Sequence, residues 1–355
     1  MSVSMESSDD SSLSSDLPLP NEISISCFAF VPRRYYPALS LVSKPFAGFI
    51  ASPELCMARS LLHATESVLY VALRFSLEET HCWYSLNLKP LKNESTLVPI
   101  PSFPSIPYWG SSVIAIGHEI YVFGGCIDGE LTSSVFVVDC RSHKCTFLSS
   151  MRVARGCAAT GVVDGKVYVI GGCKARSVDW IEMFDLKTKK WESVSGPCNE
   201  EVYEKTIKSF VMDEKIYVMD RNSSFVYDPK EKSWETEPEL NRGWRVGSCV
   251  IDNMLYTFGE NNQIKLYDPS THVWRVLKGV EDLHEPPSWA RLANYGGKLA
   301  VLIDVGERMT TEVCCTEIEL ERRQGGEVWG KILSYGRVLA VDVSSTIVKC
   351  ITVSI

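Results

Sequence analysis

One short pattern, repeated along the chain, constrains the fold of these 355 residues more than any other feature. Ile120-Tyr121-Val122-Phe123-Gly124-Gly125 returns as Val167-Tyr168-Val169-Ile170-Gly171-Gly172, then decays to Ile216-Tyr217-Val218-Met219, Leu255-Tyr256-Thr257-Phe258-Gly259 and Leu299-Ala300-Val301-Leu302. The tyrosines lie 47, 49 and 39 residues apart. A small apolar strand and a tight turn precede each block, as in Val162-Val163-Asp164-Gly165-Lys166, where Asp-Gly favours a two-residue hairpin. An alternating strand follows: Val135 to Val138, Ile181 to Phe184, Phe225 to Tyr227, Ile264 to Tyr267. Then come an aspartate and, six residues on, usually a tryptophan: Asp185 and Trp191, Asp228 and Trp234, Asp268 and Trp274, with Cys145 instead after Asp139. Four short strands every ~40–50 residues is the arithmetic of propeller blades.

The glycine pair with its spaced Tyr and Trp resembles the Kelch repeat, and the resemblance implies an all-β Kelch-type β-propeller. The glycines allow a chain reversal after the second strand that bulkier residues resist, and the aromatics pack between blades. Tyr121, Tyr168, Trp191, Trp234 and Trp274 are therefore expected in the core. The chain ends suggest how the ring closes. Val68 to Leu73, Cys82 to Leu88 and Thr96 to Ile100 read as second, third and fourth strands with no first strand before them, while Thr346 to Ile355 reads as a lone strand. Pairing the two completes a blade and removes an exposed edge. Six blades closed by the C-terminal strand result; five or seven stay open as alternatives because the weakest repeats are poorly marked. The propeller is expected over 66–355, with repeats at 66–100, 111–148, 157–194, 206–237, 247–277 and 289–334 and a closing strand at 346–355.

A different pattern fills residues 16–62. Leu19, Ile23, Cys27, Phe28 and Val31, then Leu39, Val42, Phe46 and Phe49, predict two short amphipathic helices. Pro20 suits a first turn, Pro32 separates the stretches, and Ser52-Pro53-Glu54 starts a further turn or helix. So small an all-α unit is marginal alone and usually leans on a partner. Leu19-Pro20-Asn21-Glu22-Ile23, Val31-Pro32-Arg33-Arg34-Tyr35-Tyr36-Pro37 and Leu39-Ser40-Leu41-Val42-Ser43-Lys44-Pro45-Phe46 resemble, in order and spacing, the F-box. By that resemblance Leu19, Pro20, Ile23, Phe28, Val31, Leu39, Val42 and Lys44 form or support the surface that docks on the Skp linker of a cullin-RING ligase. Phe30 and Ala47-Gly48 depart from the family's usual polar residues.

Residues 1–15, serine-rich and acidic, lack the basic and apolar regions of a signal or transit peptide and are expected to be a disordered tail. A formal charge of −8 and no dense Lys/Arg run disfavour nucleic acid and membrane surfaces as partners. No apolar run approaches the ~20 residues of a membrane span. The expected location is cytoplasm, nucleus or both. The 13 cysteines are scattered, without a CxxC pair, and are expected as reduced thiols. His63, His81, His118, His143, His272 and His284 never fall at metal-ligand spacing, and GxSxG, HExxH and phosphate-loop motifs are missing. Neither a catalytic residue nor a metal or cofactor is expected.

Strand order is more informative about binding. In a four-stranded meander, loops after strands two and four emerge on one face of the disc. That face collects 126–134, 149–157, 173–180, 195–207, 220–224, 238–247, 259–263 and 278–290, carrying Arg152, Arg155, Lys174, Arg176, Trp180, Arg221, Arg242, Trp244, Arg245 and Trp289, with Arg291 just beyond. Arg and Trp are the types enriched at protein-interface hot spots, so this face is expected to grip a target protein through an acidic or mixed segment. The competing reading pairs or stacks these arginines against their own blades. Tyr35-Tyr36-Pro37 and Ala51-Ser52-Pro53-Glu54-Leu55 beside degenerate Kelch repeats resemble the plant F-box/Kelch-repeat proteins. That resemblance implies a non-catalytic substrate receptor of an SCF-type ubiquitin ligase, reaching cullin and RING subunits through the Skp linker. A non-degradative Kelch scaffold is the alternative, and a propeller enzyme a more distant one.

Overall fold

A computed structural model describes residues 19–75, 81–88, 94–103, 110–173, 177, 179–195, 208–219, 224–245, 247–259, 263–281, 283, 290–305 and 310–355. The expected disordered tail lies outside them. The chain divides into two units between Glu66 and Ser67.

The first unit is helical, with the further helix expected from Ser52-Pro53-Glu54 present as the last of four where the rest was expected to hold two: α1 (Asn21–Ala29), α2 (Tyr36–Leu39), α3 (Lys44–Ala51) and α4 (Pro53–Leu61), with a 3-10 turn at Arg33–Tyr35. The reason is the spacing of prolines. Pro37, Pro45 and Pro53 each sit in a first helical turn, where a missing N–H costs nothing, so the helix restarts at each. Ser43 and Ser52 cap two of the restarts, accepting hydrogen bonds from Phe46 N and Leu55 N at 3.3 Å. Phe28, Ala29, Tyr36, Phe49 and Leu55 form the buried core, with Phe46 edge-on to Phe28 at 4.8 Å. Arg59 is buried among them. Its Nη1 donates to Ala29 O (3.1 Å), Val31 O (3.0 Å) and the Tyr36 hydroxyl (2.8 Å), and its Nη2 meets Glu66 Oε1 at 2.5 Å. One guanidinium thus satisfies carbonyls at and beyond the end of α1 that have no helical partner.

The second unit is a six-bladed propeller. Each blade is a four-stranded antiparallel sheet. Blade 1 joins the C-terminal strand Ser345–Ser354 to Ser67–Phe75, His81–Leu88 and Ser95–Pro99. Blade 2 is Ser112–Ile116, Glu119–Phe123, Val135–Asp139 and Lys144–Phe147; blade 3 is Ala159–Val163, Lys166–Ile170, Ile181–Asp185 and Lys190–Val194. Blade 4 is Lys208–Met212, Lys215–Met219, Ser224–Asp228 and Ser233–Thr236; blade 5 is Cys249–Ile251, Met254–Phe258, Ile264–Asp268 and Val273–Val276. Blade 6, Arg291–Tyr295, Lys298–Val305, Thr311–Arg322 and Val328–Val341, has the longest hairpin and runs past residue 334.

The ring is closed by packing as well as by pairing. Six apolar clusters each draw on two adjacent blades, and the one between blades 6 and 1 contains Leu69, Val71, Ala300, Leu302, Val313 and Ile347. Each blade therefore buries both faces, which is why its second strand reads as a nearly continuous apolar run. The tryptophans behave as expected of aromatic spacers. Trp191 lies 4.9 Å from Phe184 in its own blade and 6.1 Å from Phe123 in the preceding one, and its indole N–H donates to Ser149 O at 2.8 Å. Trp274 donates likewise to Glu239 O at 2.8 Å.

Asp139, Asp185, Asp228 and Asp268 fix the turn between third and fourth strands. In each, Oδ1 accepts backbone N–H groups two or three residues on. The Thr188 N–H foremost holds the Asp185 carboxyl below the usual carboxylate range. Burial pushes Asp139, Asp228 and Asp268 the other way, but N–H and cationic donors outweigh it and hold them low as well.

The glycine pairs serve a purpose the sequence did not reveal. Gly172 has φ +69°, and a Cβ there would stand 2.5 Å from Gly156 O; at Gly124 (φ +59°) it would stand 2.3 Å from Arg155 O. Gly125 N donates to Arg155 O and Gly156 N to Gly172 O, both at 2.8 Å. The reversals of blades 2 and 3 are therefore also a junction, where the loop backbone of each touches the segment that joins the two blades.

The innermost strands leave one edge without a ladder partner, and side chains from neighbouring blades serve it. Ser209 Oγ both donates to Thr160 O and accepts from Thr160 N at 2.8 Å; Ser112 Oγ donates to Ala158 O at 2.5 Å; Asn294 Nδ2 donates to Val250 O at 3.2 Å.

Candidate functional site

Two surfaces, one on each unit, carry residues singled out from the sequence. On the helical unit Leu19 and Ile23 are each 49% exposed and Val42 64%; Pro20 and Lys44 are exposed too. Phe28 is buried, and Val31 and Leu39 are half-buried against the same core. The eight expected docking residues thus divide: Phe28, Val31 and Leu39 support, while Leu19, Pro20, Ile23, Val42 and Lys44 present themselves to solvent. Leu41, 87% exposed, had no place in the expectation. Helical spacing sets it off the apolar stripe, but residues 40–42 form a turn, where that spacing does not apply. The helical unit thus leaves several large apolar side chains exposed to solvent.

On the propeller, antiparallel order puts the loops after second and fourth strands on one face. Arg152 is exposed there, its Nη1 3.0 Å from Ser193 Oγ and 3.7 Å from Asp179 Oδ1. Arg242 is 74% exposed and pairs with Glu239 at 2.8 Å. Arg245 is exposed, and its backbone N–H donates to Thr257 Oγ1 at 3.1 Å. Trp244 is half-buried against the core shared by blades 4 and 5. Lys174, Arg176, Arg221 and Trp289 lie outside the described residues.

Two expected target-face residues need correction. Arg155 is buried, with 1% of its side chain exposed. It forms an ion pair with Glu182 (Nη2 to Oε1, 3.0 Å) and donates to Gly171 O at 2.5 Å, to Trp180 O at 3.1 Å and to Asp179 O. Glu182, fully buried, also accepts from Arg152 N (2.7 Å) and Val153 N (3.3 Å). This pair ties the loop between blades 2 and 3 to blade 3 and cannot grip a partner. Trp180 is also buried, 5.6 Å from Trp234. The signal for the pair was Glu182 itself: a carboxylate inside the strand Ile181–Asp185, flanked by Ile181, Met183 and Phe184, demands a buried cation.

Burial pushes the hydroxyls of Tyr217, Tyr227 and Tyr256 and the thiols of Cys140 and Cys350 up to about 12, far from reactive anions. Among the described residues no group of three His, Cys, Asp or Glu side chains is placed to hold a metal ion, and no helix is long and apolar enough to cross a membrane.

Known proteins share both halves. The F-box domain model matches residues 17–57, and the Kelch-repeats domain model described as FKB95 matches residues 83–339. The F-box/kelch-repeat protein At4g39240 of Arabidopsis thaliana is 55% identical over 342 residues, covering 96% of this chain and 91% of that protein. F-box/kelch-repeat protein At4g14905 of the same plant is 46% identical over 351 residues, covering 97% and 93%. Its Kelch repeat-containing protein At1g19470 is 39% identical over 343 residues, covering 91% and 82%. A helical F-box followed by a six-bladed Kelch propeller, matched end to end in such relatives, places this chain in the F-box/kelch-repeat family.

Proposed function

We propose that this protein is the target-recognition adaptor of an SCF-type cullin-RING ubiquitin ligase, acting in cytoplasm or nucleus. The observation that carries the reading is the exposed apolar set Leu19, Ile23, Leu41 and Val42 on a unit that matches the F-box. Burying what is still exposed of each, about half of Leu19 and Ile23 and more of Leu41 and Val42, is worth about 1–2.5 kcal/mol per side chain, enough for several together to support a complex with a Skp-family linker. The propeller's loop face, with exposed Arg152, Arg242 and Arg245 on a rigid ring, then holds the target. The chain contributes no catalytic group. It supplies proximity, raising the local concentration of target lysines beside the charged conjugating enzyme that the ligase core brings.

Direct binding of the purified full chain to a purified Skp-family linker tests the first half. Leu19→Ala/Pro20→Ala and, separately, Val42→Asp are expected to weaken binding at least tenfold while the propeller's melting is unchanged. Undiminished binding by both variants would remove the F-box from the account.

A further inference from the structure

We propose that the loop-face end of the propeller axis is an oxyanion-binding site, built by Lys208 of blade 4, Lys349 of blade 1 and Arg291 of blade 6, for a carboxylate, phosphate or sulfate group. Register places the three at one level of the ring. Counting from the last pair of each inner hairpin, Met212↔Lys215 and Tyr295↔Lys298, Lys208 and Arg291 both lie four residues up. Cys350 lies four up from Ser354↔Ser67, and Lys349 one further. All three cations therefore stand within one residue of the same level on innermost strands, toward the face of the Arg-bearing loops.

Their mutual influence accords with that shared level. Burial foremost, and then the charge of Lys208, lowers the Lys349 ammonium to about 7. Burial and then Arg291 lower Lys208. Blades 1 and 4 stand opposite each other in a ring of six, so the innermost strands that carry Lys208 and Lys349 face each other across the axis. The Cys157 thiol lies close enough to both to act in the opposite direction. Other titratable or charged groups near Lys349 are His81 and Arg74 on its own blade, Cys350 beside it, and Asp304 of blade 6, whose Oδ2 accepts Ile347 N at 3.0 Å. Lys349 Nζ donates to Ser111 O at 2.6 Å, which orients it, and among the described residues two of its N–H groups remain for a ligand. Three half-buried cations at one level of the ring repel one another; an oxyanion among them turns that repulsion into attraction.

Sulfate is the probe, because its charge does not change between pH 6 and 8. Titrated into the full chain at constant ionic strength, it is expected to raise Tm along a saturating curve, and Lys208→Met should abolish the saturating part. Without sulfate that variant is expected to melt no lower than the wild type, since it removes a repelled cation. An equal, non-saturating rise in both proteins is the general salting effect of sulfate and overturns the proposal. Because Lys349 carries its charge below about 7, binding should be up to tenfold tighter at pH 6 than at pH 8; equal affinity removes Lys349 from the site. Identifying the occupant as part of the target complex rests on the loop face being the target's, whereas the titration does not. Target capture weakened by sulfate means the target carries the oxyanion, and capture strengthened by sulfate means a free oxyanion is a co-ligand. Capture indifferent to sulfate overturns the link to the target and leaves the adaptor reading standing.

Discussion

Replacing Arg155 with methionine distinguishes a structural arginine from a target-gripping one. The substitution keeps an apolar stem of similar reach and removes the charge. Glu182 is fully buried, so its carboxylate would be stranded without its cation, and Gly171 O and Trp180 O would each lose a donor. Breaking a buried pair by deleting one partner costs about 3–5 kcal/mol. With about 2.1 cal/mol/K of unfolding entropy per residue over the roughly 290 residues from Ser67 to Ile355, that loss lowers Tm by ~5–8 °C. Adding Glu182→Met removes the stranded charge, and the double variant should recover at least half of the loss, because a buried pair often exchanges for apolar residues at little cost. Scanning calorimetry on the three proteins reads both effects. If Arg155→Met melts within about 1 °C of the wild type, or the double variant melts no higher than the single one, the pair does not hold the blades and the reasoning fails.

Three further outcomes follow from the geometry. Gly172→Ala should cost about 2 kcal/mol more than Gly165→Ala, because both have positive φ but only the former drives a Cβ into Gly156 O; equal denaturation midpoints would contradict this. Asp139, Asp185, Asp228 and Asp268 have depressed carboxyls, so the stability they lend is complete above the unfolded value near ~4 and is lost as pH falls through the lower folded values. Asp228→Asn/Asp268→Asn should accordingly flatten Tm against pH below ~4, and an unchanged slope would assign acid sensitivity elsewhere. Arg59→Met strands Ala29 O and Val31 O and should cost the helical unit about 2–4 kcal/mol. Faster amide exchange across residues 21–61 reads that loss, and wild-type exchange rates would refute it.

Much of this molecule was legible in the sequence because repetition makes each block a check on the others. The recurring apolar strand, the Asp-Gly turn and the aspartate before tryptophan located strands in blades 2 to 5, and the unpaired ends located the closure. Helix number in the first unit was less legible: Pro53 marked the last restart, but apolar spacing marks only a face and does not show that Pro37 and Pro45 also decide where helices restart. The binding face was legible only as a set of loops. Whether an arginine there is offered to a partner or consumed by the fold depends on where a carboxylate lies across the blade. Glu182 takes Arg155 out of the face, while Arg152, Arg242 and Arg245 remain exposed. That the strands of Lys208 and Lys349 face each other across the axis was illegible, because residues so distant in sequence share a level only once the ring has closed.

The adaptor reading is tested most directly by quantitative affinity capture from proteasome-inhibited cells. The wild type is compared with Leu19→Ala/Pro20→Ala and with Arg152→Glu/Arg242→Glu/Arg245→Glu. The account predicts that the first variant loses linker and cullin but keeps a third protein, and that the second keeps linker and cullin but loses that protein. Capture of the same proteins at the same levels by all three forms would contradict it.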